Sequence, residues 1–119
     1  MKRILVIEDN ETNMYLTKFM LEKSGFEVLE ARDGLTGVAT AKTAKPDLIL
    51  MDIQLPDING MEATGRIREF DKTVPIVAVT SYAMVGDKEK TLEAGCTGYI
   101  EKPINPDTFI GSIKKYLSD

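Results

Sequence analysis

Short apolar runs alternate with longer mixed segments along this chain, and turn residues separate them at regular intervals. The apolar runs are Ile4-Leu5-Val6-Ile7, Val28-Leu29, Leu48-Ile49-Leu50-Met51, Ile76-Val77-Ala78-Val79 and Gly98-Tyr99-Ile100. Three of them are continuous rather than alternating, as expected of parallel strands buried on both faces. The segments between carry helix start and stop signals. Asn10 caps a first helix running through Met14, Leu16, Phe19, Met20 and Leu21; its broad apolar face suits a helix laid on a sheet, and it stops at Ser24-Gly25. Asp33 caps a second, weakened by Gly37 and ended before Lys45-Pro46, because the residue before proline avoids the helical region. A third follows Asn59-Gly60, with Met61, Ile67 and Phe70 as its contacts. A fourth covers roughly Met84 to Ala94 and stops at Gly95, and the last starts near Pro106 and runs through Phe109, Ile113 and Leu117.

A strand followed by a helix, five times over, predicts an α/β fold with the strands parallel and helices on both faces. The simplest topology of that length is a flavodoxin-like doubly wound five-stranded sheet in the order 2-1-3-4-5, built as one domain over residues 1–119. No repeat or linker divides the chain, and 119 residues are too few for two ordinary domains.

Composition narrows the chemistry. The formal net charge of −4 gives no basic excess, which disfavours direct binding to nucleic acid. No run approaches the roughly 20 apolar residues that span a bilayer. The apolar start Ile4–Ile7 breaks at Glu8-Asp9, too soon for a signal peptide, so a cytoplasmic location is expected. Cys96 is the only cysteine and histidine is absent, which excludes a disulfide framework, Cys₂His₂ zinc sites, Ser-His-Asp triads and Cys-His dyads. Whatever reaction occurs must use carboxylates, hydroxyls, lysines and a hard metal ion.

Those residue types sit at the strand ends. The first strand ends in Glu8-Asp9, the third in Asp52, the fourth in Thr80-Ser81 and the fifth in Glu101-Lys102-Pro103. In a parallel sheet these ends share one edge, and in this order the first and third strands meet at the switch point where such folds place their sites. Glu8, Asp9 and Asp52 should therefore converge, with Thr80 and Lys102 beside them. Three carboxylates so close repel one another unless a cation compensates, and Mg²⁺ with oxygen ligands is the natural partner. A carboxylate can attack a phosphoryl group, and that transfer needs little beyond positioning and cancellation of charge. Mg²⁺ beside Asp52, the Lys102 ammonium and the Thr80 hydroxyl would supply it.

With these residues in view, the chain resembles the receiver domain of two-component response regulators, most closely the single-domain members, from Ile4 to Leu117. The resemblance rests on Glu8-Asp9, on the segment from Asp47 through Asp52-Ile53-Gln54-Leu55-Pro56 to Gly60, on Val79-Thr80-Ser81, and on Gly98-Tyr99-Ile100-Glu101-Lys102-Pro103. It implies that Asp52 accepts a phosphoryl group from a sensor histidine kinase or a histidine phosphotransfer protein. Asp9, Asp52 and the backbone carbonyl of Gln54 would bind Mg²⁺ directly, with Glu8 acting through water. Lys102 and Thr80 would hold phosphoryl oxygens, and the Lys102–Pro103 peptide is expected to be cis. Thr80 and Tyr99 would form the switch, and Gln54 and Tyr82 would tune phosphoryl lifetime. Output is expected through protein contact at the face of the fourth helix, fifth strand and fifth helix. The chain would be a signalling domain that assists its own phosphorylation and dephosphorylation, not an enzyme.

Plainer roles stand beside these. Tyr99 can equally be packing in an edge strand, and Cys96 reads as a small core residue. Met14, Met20, Met61 and Met84 read as core or helix-face filler, with Met84 and Val85 as an alternative partner surface. Asp87-Lys88-Glu89-Lys90 reads as a solvated helix face. A degenerate, non-phosphorylated interaction module is one alternative function. Another is a small Mg²⁺-dependent phosphohydrolase with an aspartate nucleophile. Haloacid-dehalogenase-type enzymes, however, need Asp-x-Asp-x-Thr, and counting from Asp9 this chain has Glu11 and Asn13. A flavodoxin-type cofactor binder would need a Ser/Thr/Gly-rich phosphate loop where Glu8-Asp9-Asn10-Glu11 stands, and no P-loop is present.

Overall fold

The computed structural model describes residues 1–81 and 87–117. Strands β1 (Arg3–Ile7), β2 (Glu27–Ala31), β3 (Leu48–Asp52), β4 (Ile76–Thr80) and β5 (Gly98–Glu101) alternate with helices α1 (Glu11–Lys23), α2 (Gly34–Ala44), α3 (Gly60–Arg68), α4 (Asp87–Glu93) and α5 (Pro106–Leu117). The strands form one parallel sheet in the order β2-β1-β3-β4-β5, as the pattern of runs predicted.

The continuous runs are explained by burial on both sides. Every residue of β3 and β4 is buried. Side chains alternate between faces along a strand, and the sheet divides accordingly. Leu5, Ile7, Ile49, Met51, Ile76 and Ala78 pack with Ala41, Ala63, Ile67 and Cys96 on one face. Ile4, Val6, Leu48, Leu50, Val77 and Val79 pack with Met14, Leu21, Phe109 and Ile113 on the other. Full burial of a side chain such as Phe109 contributes about 2–3 kcal/mol. Cys96 is the small core residue that the sequence suggested.

The caps lie where local sequence put them. Asn10, Asp33 and Asn59 each accept a hydrogen bond from the backbone N–H three residues on, at Asn13, Thr36 and Glu62. Gly25 and Gly95 follow α1 and α4 with φ of +93° and +115°, conformations that cost other residues dearly. Lys45, ahead of Pro46, has left the right-handed helical region at φ 50°.

Two expectations about helix faces need correction. Leu16 and Phe19 do not pack on the sheet: they are 50% and 54% exposed, and only Met14, Thr17 and Leu21 of α1 are buried. A helix on a sheet covers one stripe, and the apolar residues of α1 exceed it. On α3 the buried residues are Gly60, Ala63, Thr64 and Ile67; Met61 is half-buried, while Phe70 lies beyond the helix, exposed beneath the Lys42 ammonium. Met20 is likewise half-buried. Glu89 and Lys90 are exposed, in keeping with a solvated face. The expectations for Tyr82, Met84 and Val85 fall outside the described residues.

Candidate functional site

The strand register assembles the site. Ile7 of β1 pairs with Met51 of β3, so the next residues, Glu8 and Asp52, stand side by side at the same level. Asp52 in turn pairs with Val79 of β4, and Thr80 with Glu101 of β5, which sets Thr80 one step and Lys102 two steps further along the same edge. The edge is stitched by backbone hydrogen bonds: Glu8 N–H to Ala31 O at 2.9 Å, Ile53 N–H to Val79 O at 3.3 Å, and Lys102 N–H to Thr80 O at 2.8 Å. The peptide between Lys102 and Pro103 is cis, as anticipated.

Carboxylate oxygens of Glu8, Asp9 and Asp52 lie within 4.8 Å of one another. Glu8 and Asp52 are both buried, at 5% exposure, while Asp9 opens to solvent. The Lys102 ammonium bridges the two buried acids, 3.1 Å from Glu8 Oε1 and 3.4 Å from Asp52 Oδ2. Backbone N–H groups take the other oxygens, Asn10 donating to Glu8 Oε2 and Gln54 to Asp52 Oδ1, each at 3.2 Å. Burial and the neighbouring Glu8 carboxylate push the Asp52 carboxyl up to about 7, against the pull of Lys102 and the Gln54 N–H. Among the described residues, one cation meets the two buried acids, which leaves an unbalanced negative charge. An all-oxygen donor set of this kind, with one open side, fits a hard divalent ion such as Mg²⁺.

Thr80 is buried beside this cluster. Tyr99 is half-buried on edge strand β5, with its hydroxyl 3.4 Å from Glu101 Oε1. The Gln54 side chain is exposed. Thus Glu8, Asp9, Asp52 and Lys102 come together as expected, with Thr80 and Gln54 adjacent and Tyr99 on the outer strand.

Two elements of the site escaped the sequence reading. The loop from Ile53 to Asn59 closes on Asp52 through a Gly60 N–H to Ile53 O bond of 2.8 Å, and no side chain at Gly60 would fit, since an added Cβ would fall 2.4 Å from Asp52 O. On the opposite flank lies an apolar groove of about 550 Å³, lined by Leu16, Phe19, Met20, Pro103, Ile104 and Pro106, with Glu8 and Lys102 at its inner end. The surplus of apolar residues on the first helix was the available signal for it.

Comparison with known proteins agrees with the geometry. Residues 4–114 match the model of the response regulator receiver domain. The polar-differentiation response regulator DivK of Brucella anthropi is 45% identical over 120 residues, covering 99% of this chain and 98% of that protein. Its counterpart in Brucella abortus is 44% identical over the same shares. Among solved structures, a CheY-like receiver domain protein from Methanospirillum hungatei superposes with a TM-score of 0.93 at 34% identity, covering 98% of this chain and 94% of that one. The receiver domain of a sensor histidine kinase from Pseudomonas aeruginosa, solved with a magnesium ion coordinated in its active-site cleft, gives 0.92 at 34% identity over 99% and 98%.

The chain belongs to the response regulator receiver family. It is a two-component phosphorelay response regulator of the CheY-like and DivK-like kind. Membership carries, in general terms, the use of Mg²⁺ and histidine-kinase or phosphotransfer partners. No helix among the described residues is long and apolar enough to cross a membrane.

Proposed function

We propose that Asp52 is the phospho-acceptor and that residues 1–119 act as one receiver unit, switched by that modification. The observation that supports this most directly is the buried pairing of Asp52 with Glu8 under a single cation, Lys102. An acid set with a charge deficit is a poor structural core and a good receptor for a metal and a phosphoryl group. Asp9, Asp52 and the Gln54 carbonyl would hold Mg²⁺, with Glu8 acting through water. Mg²⁺ bound there supplies charge neutralisation for the transferring oxygens.

The rest is done by the chain. The Asp52 carboxylate attacks phosphorus in line; an O–P bond forms as the donor's N–P bond breaks, and the bonding pair returns to the donor imidazole. Lys102, already 3.4 Å from Asp52, turns its charge to a phosphoryl oxygen, and the Thr80 hydroxyl takes another. A donor must bring phosphorus to Asp52 across neighbouring ground, and the apolar groove beside Glu8 and Lys102 offers that ground to a phosphohistidine-bearing protein. Movement of Thr80 toward the new group and of Tyr99 behind it would alter the face of α4, β5 and α5, where a downstream protein partner binds. Gln54 and Tyr82 would set how long the phosphoryl group lasts. On this reading the chain is a cytoplasmic signalling domain rather than an enzyme, and neither nucleic acid nor membrane is a direct partner.

The test is incubation with acetyl phosphate with and without Mg²⁺, followed by intact-mass measurement. One added phosphoryl group, dependent on Mg²⁺, cleaved by hydroxylamine and absent from Asp52→Asn, is the expected result. An unmodified chain under every donor would overturn the proposal.

A further inference from the structure

Two acids accept from the N–H groups at the start of helix α2, and they come from different places. Asp33 is the local cap, its Oδ1 accepting from Thr36 N–H at 2.7 Å. Asp57 reaches across from the loop after β3, its two carboxylate oxygens accepting from Gly34 N–H and Leu35 N–H, each at 2.8 Å. A helix start leaves its first N–H groups without partners inside the helix and favours negative charge there. Here a loop residue more than twenty positions away meets that need. The contact is reinforced by packing. Ile58 lies over Gly34 so closely that an added Cβ would sit 2.5 Å from Ile58 Cγ1, and Ile58 and Leu55 both join the core on that face.

The loop so tied is the one that leaves Asp52. Its base is fixed where Gly60 N–H meets Ile53 O at 2.8 Å and Ile53 N–H meets Val79 O at 3.3 Å. Its far end is fixed by Asp57. Gln54 lies between these two anchors with its own side chain in solvent and its N–H held by Asp52 Oδ1 at 3.2 Å, so its backbone direction is set by Asp52 and by the anchors on either side.

We infer that Asp57 is a positioning residue for the metal site: by docking residues 53–59 onto the start of α2, it holds the Gln54 backbone where its carbonyl can meet a cation shared with Asp9 and Asp52. This rests on the function proposed above. The clamp is permanent, not titrated in the physiological range: local desolvation pushes the Asp57 carboxyl up, but the N–H groups of Leu35, Gly34 and Ile58 outweigh it and bring the carboxyl down to about 2. Groups that orient a metal ligand typically change affinity by about 10–100-fold when removed. A backbone ligand held through a loop belongs at the lower end of that range.

The experiment compares the wild type with Asp57→Ala, Asp57→Asn and Asp33→Ala. Mg²⁺ dissociation constants are measured by NMR titration, and amide exchange is followed at residues 34, 35 and 53–55 in metal-free buffer. Asp57→Ala should weaken Mg²⁺ binding about tenfold and speed exchange at all of those amides. Asp57→Asn, which keeps one acceptor oxygen, should fall between it and the wild type. Asp33→Ala removes a cap from the same helix without touching the loop, and should leave Mg²⁺ affinity within about twofold of wild type. If Asp57→Ala binds Mg²⁺ like the wild type, or if Asp33→Ala weakens binding as much, the inference is overturned and the function proposed above survives. If the wild type itself binds no Mg²⁺, both fall together.

Discussion

On the α2 side of the acidic cluster, residues 53–59 are held by Gly60 at the base, Asp57 at the far end and Ile58 packed half-buried against the core. On the α1 side, Leu16 and Phe19 stand half in solvent over a groove of about 550 Å³ that runs up to Glu8 and Lys102. The first flank uses backbone hydrogen bonds and close packing, which fix geometry to fractions of an ångström. The second offers apolar area open to solvent at Leu16 and Phe19. The contrast suits the proposed chemistry, in which the acceptor must be aimed and the donor must come and go. It also implies that substitutions on the two flanks fail differently, the first in folding and metal binding, the second in transfer between proteins.

The sharpest break of that contrast is Gly60→Ala. The new Cβ would lie 2.4 Å from Asp52 O and 2.8 Å from Ile53 Cα, both backbone atoms that cannot swing aside. We expect a loss of about 3 kcal/mol in urea unfolding, together with loss of Mg²⁺ binding. A change below about 1 kcal/mol would mean that the loop is far less fixed than its contacts indicate.

Next in size is Lys102→Ala, which strikes the point shared by both flanks. It removes the cation 3.1 Å from Glu8 and 3.4 Å from Asp52 and leaves two buried acids facing each other. Removing one partner of a fully buried ion pair costs about 3–5 kcal/mol. Because Lys102 keeps 19% of its side-chain surface exposed, about 2 kcal/mol is the expected loss at pH 8 without metal. Mg²⁺ should restore part of it, and urea midpoints with and without the ion measure both effects.

How much of this was legible depends on distance along the chain. Asn10, Asp33 and Asn59 could be read as caps because each meets an N–H three residues away. Glu8, Asp52 and Lys102 could be read as one cluster because topology alone brings the ends of parallel strands to a common edge. Asp57 could not, since its partners are fixed only when the loop and α2 meet in space. Leu16 and Phe19 were placed on the wrong side of α1 because an apolar surplus shows that a helix has more than one greasy face without saying which faces the sheet. Phe70 failed through a helix that ends at Arg68, short of it.

Titration gives a smaller effect with a definite sign. The Asp52 carboxyl is raised from 3.8 to about 7, so between those values the folded protein binds more protons than the unfolded chain. Stability is therefore present at low pH and lost as pH rises through about 7. In EDTA, urea midpoints should fall from pH 5.5 to pH 8, and Asp52→Asn should flatten that slope. Mg²⁺ binds the charged form, so its stabilisation should be larger at pH 8 than at pH 5.5. A midpoint that rises with pH in the metal-free protein would show that Lys102 outweighs burial and Glu8.

Phe19→Ala is expected to be the gentlest on the fold and the most selective on function. The ring is 54% exposed, stacks on Tyr15 at 6.5 Å and has the Lys23 ammonium 5.9 Å from its centroid, so its removal should cost no more than about 1 kcal/mol. Acetyl phosphate reaches Asp52 without covering the groove, so its rate of phosphorylation should be unchanged. On the proposed reading a phosphohistidine-bearing protein docks on the groove, and losing an aromatic anchor there should slow transfer about tenfold or more. Measured side by side, the two donors separate docking from chemistry. Equal slowing of both would place Phe19 in the support of the acid site and close the difference between the flanks; no slowing of either would move the donor's landing surface elsewhere.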